Sequence, residues 1–307
     1  MSPSGPSITY QPYLYWSCVG NAIQDACQSA GPVANFEESY SFGAGFQGTD
    51  LLANTLFVSA YFVGTRTSGT GPEVSEVANA EGESPFIAPN TWIEIKGANL
   101  APSGDTRIWQ GSDFVGNQMP TQLDGVSATV NGKSAYVYYI SPTQVNVLTP
   151  PDAMQGPVQV TVTNKGATSA SFTAQAQPLS PSFFEFSGGY VIGSHLNGSL
   201  LGPTTLYPGS STPAAPNELV VLYANGFGPS SVPVVSGSSF QSGILTTLPV
   251  IQIGGITATV QSASLISPGL FQLNVIVPAK APDGDNTITA NYNGLATQSG
   301  VLITIQR

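Results

Sequence analysis

From residue 73 to the C-terminus, apolar and polar positions alternate in short runs that Gly, Pro, Asn and Asp break at close intervals. Val158-Gln159-Val160-Thr161-Val162-Thr163 shows the period of two most clearly, with three valines on one face and their polar partners on the other. This patterning predicts strands over 91–96, 126–130, 134–140, 144–148, 158–163 and 171–175. It predicts a second set over 219–223, 250–253, 257–262, 271–277, 287–292 and 301–306. Asn131-Gly132, between two strands of the first set, is a hairpin signal, because both residues tolerate the positive φ of a tight I′ turn. Each set opens on a proline-led strand, Pro72-Glu73-Val74-Ser75-Glu76-Val77 and Pro181-Ser182-Phe183-Phe184-Glu185-Phe186.

The two sets are copies of one unit. Ala88-Pro89-Asn90, followed by a strand ending at Asn99-Leu100-Ala101-Pro102, returns 127 positions later as Ala215-Pro216-Asn217, with a strand ending at Gly226-Phe227-Gly228-Pro229. Gln144-Val145-Asn146 with Pro150 returns as Gln272-Leu273-Asn274 with Pro278, and Gly156 and Gly166 as Gly284 and Gly294, all at an offset of 128. An offset held across several strands marks a duplicated folding unit. From the leading proline to the Ala-Pro-Asn proline is 17 residues in the first copy and 35 in the second. The second copy therefore carries an insertion, near 189–210, which predicts a surface loop.

Short strands with frequent turns, in about 105 residues of the first copy and more in the second, predict an all-β chain of two tandem immunoglobulin-like sandwiches. The expected limits are 73–178 and 179–307, preceded by an aromatic-rich accessory segment at 1–72 that matches neither copy. In that segment Tyr10, Tyr13, Tyr15 and Trp16 cluster around Pro12, residues 21–29 can form a short helix, and 57–63 reads as a strand, with a helix over 51–60 as the alternative. Cys18 and Cys27, the only cysteines, predict a local disulfide, with two free thiols as the alternative. They do not make a zinc site, which needs four ligands.

Composition narrows the function. Charged residues are 8% of the chain, against about 25% in an average soluble domain, so its polarity is carried by hydroxyls and amides. Seven Lys and Arg stand against 17 Asp and Glu, a net charge of −10, and there is no basic cluster to neutralise phosphates. Nucleic acid is thereby excluded as a partner, and an anionic membrane surface would repel the chain. No apolar run approaches the roughly 20 residues of a membrane span. Met1 to Pro6 lacks the basic start and apolar core of a signal peptide. Scarce lysine, abundant Ser, Thr and Gly, and the all-β reading nonetheless predict a secreted or cell-surface protein, with the chain beginning inside a longer exported precursor.

Several motifs in order carry a resemblance. They are Asn225, Gly226, Gly228 and Pro229; Ile253-Gly254-Gly255 with Ala258 and Val260; and Pro268-Gly269-Leu270-Phe271-Gln272-Leu273-Asn274 leading to Pro278. In this respect the second copy resembles a C-terminal domain family of acidobacterial (Solibacter-type) secreted proteins. The first copy, with Leu123-Asp124-Gly125-Val126, Val130-Asn131-Gly132-Lys133 and Ile140-Ser141-Pro142-Thr143-Gln144, resembles its partner module. The resemblance implies the IPT/TIG branch of immunoglobulin-like folds, an exported location and no assigned catalytic residues.

Candidate chemistry is sparse. Gln144/Asn146 and Gln272/Asn274 share strand faces, so each copy presents two amides that can meet sugar hydroxyls or serve the fold; duplication favours the fold. Tyr136 and Tyr138 share a face, with Trp109 and Phe114 in the preceding loop, and Tyr190 and Tyr207 lie in the insertion. Tyr136, Tyr138, Trp109, Tyr190 and Tyr207 are the candidate ligand-binding residues, suited to stacking on sugar rings. Asp283 and Asp285 offer oxygens to Ca²⁺ and equally suit a turn. Ser194 and His195, the only histidine, are the one catalytic candidate, without a Gly-x-Ser-x-Gly elbow or the helices of an α/β-hydrolase. Gly43-Ala44-Gly45-Phe46-Gln47-Gly48 matches a dinucleotide fingerprint without the βαβ context it requires. The preferred expectation is a non-catalytic module for adhesion, glycan contact or surface and filament assembly. Its partners would be a carbohydrate, another surface protein, or neighbouring copies joined through residues 1–72. The alternative is a secreted esterase- or glycosidase-type hydrolase centred on His195.

Overall fold

The computed structural model describes residues 71–307 in full. Of residues 1–70 it describes only the backbone of strands Ile8–Cys18, Glu38–Ser41, Phe46–Thr49 and Thr55–Arg66. In that segment Thr55–Arg66 pairs antiparallel with each of the other three strands. The strand reading of 57–63 therefore holds, within a strand that starts at Thr55, and Gly48 lies in a strand rather than opening a helix. The helix expected at 21–29, the aromatic side chains around Pro12 and the Cys18–Cys27 disulfide lie outside the described residues.

Residues 71–307 form two β-sandwiches, as the alternating pattern requires. One sheet of the first runs in the order Glu73–Asn79, Trp92–Ala98, Gln144–Leu148, Tyr136–Ile140, Arg107–Ile108, antiparallel throughout. The facing sheet is built on Val126–Val130, Gly156–Asn164 and Phe172–Ala176, with Phe86–Ile87 added parallel at its edge. Val158, Val160 and Val162 point inward, as expected, and meet Ile93, Ile95, Val145 and Val147 in the core. In the second sandwich Leu219–Asn225, Leu270–Ile276 and Thr259–Ser267 lie side by side. They face a sheet containing Leu302–Ile305, Gly284–Tyr292 and Val250–Ile253, over a core that includes Phe183, Phe227 and Phe271.

The duplication persists in the backbone. Asn90 and Asn217 both adopt positive φ (48° and 66°), and their N–H groups donate to Pro150 O and Val277 O, acceptors that are also 127 apart. Asn99 and Gly226, Gly156 and Gly284, Lys165-Gly166 and Asn293-Gly294 repeat positive φ at the same offsets. Leu100 and Phe227 fill equivalent, fully buried positions. Asn131-Gly132 makes the expected tight turn, with Val130 paired to Lys133.

The insertion differs from the loop expected. Tyr190–Val191 joins one sheet of the second sandwich, and Gly193–His195 and Leu200–Leu201 extend the other. In the first copy Glu73–Asn79 covers one whole edge of Trp92–Ala98. In the second, Ser182–Phe183 covers only the end of Leu219–Asn225, and Gly193–His195 completes that edge. Val191 and Leu201, both fully buried, anchor the insertion in the core, and so it is strand rather than loop.

The sandwiches meet across a polar seam. Asn79 Nδ2 donates to Ser180 O at 2.7 Å, while Asn79 Oδ1 accepts from Ser182 Oγ, Asn225 Nδ2 and Glu81 N–H at 3.0, 2.9 and 3.1 Å. Asn225 also clasps the backbone of Trp92, accepting its N–H and donating to its carbonyl, both at 3.0 Å. Such buried groups are stable only when their hydrogen-bonding capacity is met, and here one asparagine meets the needs of the other. The connection between the sandwiches is stitched on both sides: Gln177 N–H donates to Ile87 O, Ser180 Oγ to Phe86 O and Ser180 N–H to Gly226 O. At Gly226 a Cβ would lie 1.9 Å from Ser180 O, so this close approach requires glycine.

Candidate functional site

The aromatic candidates divide between two places. In the first sandwich a bulge between Val137 and Tyr139 turns Tyr138 toward the loop that carries Trp109, whose N–H donates to Tyr138 O at 2.8 Å. Trp109 meets Tyr138, Phe114 and Trp92 edge-to-face, with ring centroids 5.1, 5.0 and 5.7 Å apart. Tyr136 is only 8% exposed, and its hydroxyl lies 2.6 Å from Ser236 Oγ of the second sandwich. Trp92 Nε1 donates to Pro268 O at 2.8 Å, and Met119 N–H to Gly237 O at 2.8 Å. Trp109 and Tyr138 thus pack against each other, while Tyr136 is tied to the second sandwich through Ser236.

In the second sandwich Tyr190 and Tyr207 are joined by Phe186, which was not among the expected residues. Phe186 pairs directly across from Tyr190 on adjacent strands, and Tyr207 packs edge-on against Phe186 with centroids 5.2 Å apart. Phe186 and Tyr190 are half-buried and Tyr207 is 39% exposed. Tyr190 Oη donates to Asp285 Oδ2 at 2.9 Å, and Thr304 Oγ1 to Asp285 Oδ1 at 2.6 Å. The bond to Asp285 also holds the Tyr190 phenol above its ordinary pKa. The result is an open aromatic corner with a carboxylate and hydroxyls at its edge. Its signal in the sequence was a third phenylalanine in the proline-led strand, beyond the one that fills the core.

His195 is part of the sheet's scaffolding. Its Nδ1 lies 2.5 Å from Glu218 Oε1, and its Nε2 lies 3.1 Å from Thr212 O and 3.0 Å from Thr212 Oγ1. Ser194 precedes it on strand Gly193–His195 and so points to the opposite face. The structure does not bring the pair together as nucleophile and base.

The remaining candidates are similarly engaged. Asp283 binds the Arg307 guanidinium at 2.9 Å, and Asp285 serves Tyr190 and Thr304. Among the described residues no three His, Cys, Asp or Glu side chains converge as a metal site. The paired amides bond to each other along their strands, Gln144 Nε2 to Asn146 Oδ1 at 2.8 Å and Gln272 Nε2 to Asn274 Oδ1 at 2.9 Å. Beside the first pair, Lys96 binds Glu94 and Glu83 at 2.7 and 2.8 Å. Burial raises the Glu94 carboxyl despite that partner, and the hydrogen bond from Lys96 lowers Glu83. Arg107 bridges Asp113 and Asp124, whose carboxyls it holds below their usual range. A groove of about 580 Å³ runs beside the seam, lined by Pro89, Met154, Pro178, Pro229 and Val232 among others, and none of its lining side chains is titratable.

An IPT/TIG domain is found at residues 84–186, about a third of the chain, spanning the first sandwich after its opening strand. A search of curated protein sequences gives no match. Among solved structures, the chain is similar to SGBP-B of the Bacteroides ovatus mixed-linkage glucan utilization locus, in complex with a mixed-linkage heptasaccharide. The identity is 13% and the TM-score 0.33, over 97% of this chain and 60% of that one. It is also similar to the full extracellular region of plexin A4, at 10% identity and a TM-score of 0.26, over 76% of this chain and 18% of that one. A third similarity is to γ-CGTase from Alkalophilic bacillus clarkii, at 13% identity and a TM-score of 0.25, over 89% of this chain and 35% of that one. The chain thus spans less than two thirds of each of these structures, and likeness at this level does not bear on what it does.

Proposed function

We propose that the chain is a non-catalytic module of an exported or cell-surface protein, of the acidobacterial C-terminal type its motifs resemble, with its sandwiches at 73–178 and 179–307. In this reading it contacts neutral glycans through Phe186, Tyr190 and Tyr207. The observation that carries the reading is the open aromatic corner beside Asp285. Aromatic faces suit the C–H faces of pyranose rings, and a carboxylate with neighbouring hydroxyls suits sugar hydroxyl groups. A net charge of −10 and the lack of a basic cluster disfavour anionic polysaccharides.

The hydrolase reading is disfavoured by the engagement of both His195 ring nitrogens and by Ser194 facing away from that ring. The test is a glycan array probed with the whole chain, followed by titration of the best neutral oligosaccharide against wild type, Tyr207→Ala and Phe186→Ala. Each variant is expected to weaken binding by about tenfold, equivalent to ~1.4 kcal/mol. No binding to any neutral glycan, or full binding by the Phe186→Ala/Tyr207→Ala double variant, would discard the reading.

A further inference from the structure

Phe240 stands 74% exposed, against 39% for Tyr207, and the chain on both sides of it is fixed. Ser239 N–H donates to Asn117 O at 2.8 Å, and Phe240 N–H to Ser238 Oγ at 3.1 Å. The next side chain, Gln241, is buried, and its Oε1 accepts Asn90 Nδ2 at 2.8 Å and Gly269 N–H at 3.4 Å. Phe240 is thus held out in solvent by bonds before and after it, not left on a slack loop. Val115, Val235 and Ile244, on neighbouring segments, are exposed as well. Exposed apolar side chains gathered in this way mark a surface that another molecule covers.

The same stretch of chain forms a wall of the groove of about 580 Å³. Asn90, which bonds Gln241, lines that groove, as does the exposed Val232. Ser231 N–H donates to Ile244 O at 2.8 Å, which ties this wall to the strand that follows Phe240. Five of the lining residues are prolines, whose fixed φ makes a stiff slot that loses little freedom when it is filled. No residue from Leu219 to Ala279 is charged. Asp113 and Asp152, the acids nearest in sequence to Val115 and to the groove, are paired with Arg107 and Lys133. Two chains of net charge −10 repel where their acidic surfaces meet, and here they can approach without that cost. A basic partner would be drawn to the carboxylates elsewhere instead.

We propose that two copies of this chain pair about a two-fold axis, with Phe240 of each inserted in the apolar groove of the other. The second copy is the occupant because this one segment supplies both halves of the contact, an aromatic knob and an uncharged slot. A two-fold arrangement makes the contact twice and closes on itself. An interface centre of this kind, rich in aromatic side chains and poor in charge, is the usual composition of a stable contact. Phe186, Tyr190 and Tyr207 take no part in it, so pairing and glycan binding are separable.

The test is sedimentation velocity of the whole chain from about 1 μM to about 1 mM, in which the mass should double as concentration rises. Phe240→Asp carries a carboxylate into the slot and should raise the midpoint of pairing by about a hundredfold. Val232→Asp, in the slot itself, should do the same. Both positions are exposed, so the melting temperature of each variant should stay that of wild type. An equimolar mixture of Phe240→Asp and Val232→Lys should pair again, through one unaltered contact and one between opposite charges. A chain that stays monomeric throughout would overturn the proposal and leave the groove to a different molecule. Pairing that survives Phe240→Asp would also overturn it and move the joint elsewhere, first to residues 1–72. Species larger than a dimer would overturn the two-fold closure.

Discussion

The two sandwiches each carry aromatic side chains on an outer face and put them to opposite uses. In the first, Trp92 and Tyr136 bond to the second sandwich, and Trp109 and Tyr138 pack edge-to-face around Trp92. In the second, Phe186 and Tyr190 are half-buried and Tyr207 is exposed beside them. The second copy has Ser264 and Ile266 where the first has Tyr136 and Tyr138, and its own aromatics Tyr190 and Tyr207 come with the insertion, so the two groups have separate origins. A strand's alternation tells which side chains leave its own core, but not whether another sandwich waits for them.

Breaking the joint tests the comparison most severely. Asn79→Ala removes the acceptor for Ser182 Oγ, Asn225 Nδ2 and Glu81 N–H at once and leaves buried donors unpaired. It is expected to cost roughly 2–4 kcal/mol in denaturant unfolding. A loss below about 0.5 kcal/mol, the size of an ordinary surface change, would mean that the seam contributes little to stability. Next in size is Trp109→Ala, which should cost roughly 2–3 kcal/mol of stability while leaving the glycan affinity of the folded protein unchanged. Tyr207→Ala should do the reverse, shifting stability by less than about 0.5 kcal/mol while weakening glycan binding. If the two variants exchange these effects, the aromatic groups have been assigned to the wrong uses.

The pH dependence is smaller and has a definite sign. Glu81 is held at about 7, above the 4.5 of a free glutamate, so between these values the folded chain keeps a proton that the unfolded chain releases. Stability from this group is therefore fully present below 4.5, declines as pH rises toward 7, and is level above that. Melting curves across this window should show the decline in wild type and lose this component in Glu81→Gln. The smallest expected effect is that of His195→Ala, about 1 kcal/mol of stability from lost hydrogen bonds. No ester or glycoside turnover should disappear with it; any activity abolished by this change would revive the hydrolase reading.

Much of the architecture was legible because it depends on local rules. Asn131-Gly132 needs positive φ wherever it occurs in a tight hairpin, and Val158 to Val162 alternate whatever lies above them. The repeated Ala-Pro-Asn was legible for the same reason, since Asn90 and Asn217 both take positive φ at the same turn. The seam was not. Asn79 and Asn225 look like ordinary polar residues at strand ends, and their pairing joins positions 146 residues apart. The insertion was misjudged because length alone predicts a loop, whereas Val191 and Leu201 gave it enough apolar surface to join the sheets. Of the site, Tyr190 and Tyr207 were visible as aromatics in the insertion. Phe186 was hidden within a strand whose neighbouring Phe183 does fill the core.

The stitched connection at residues 177–181 leaves no slack between the sandwiches. Two domains on a loose tether would reorient freely under load and pull out in sequence. Here the covalent connection and the Asn79–Asn225 clasp join the same two bodies side by side, so the clasp shares load with the chain itself. A protein anchored at one end and gripping a surface at the other would then transmit pull and twist along its length without first taking up play.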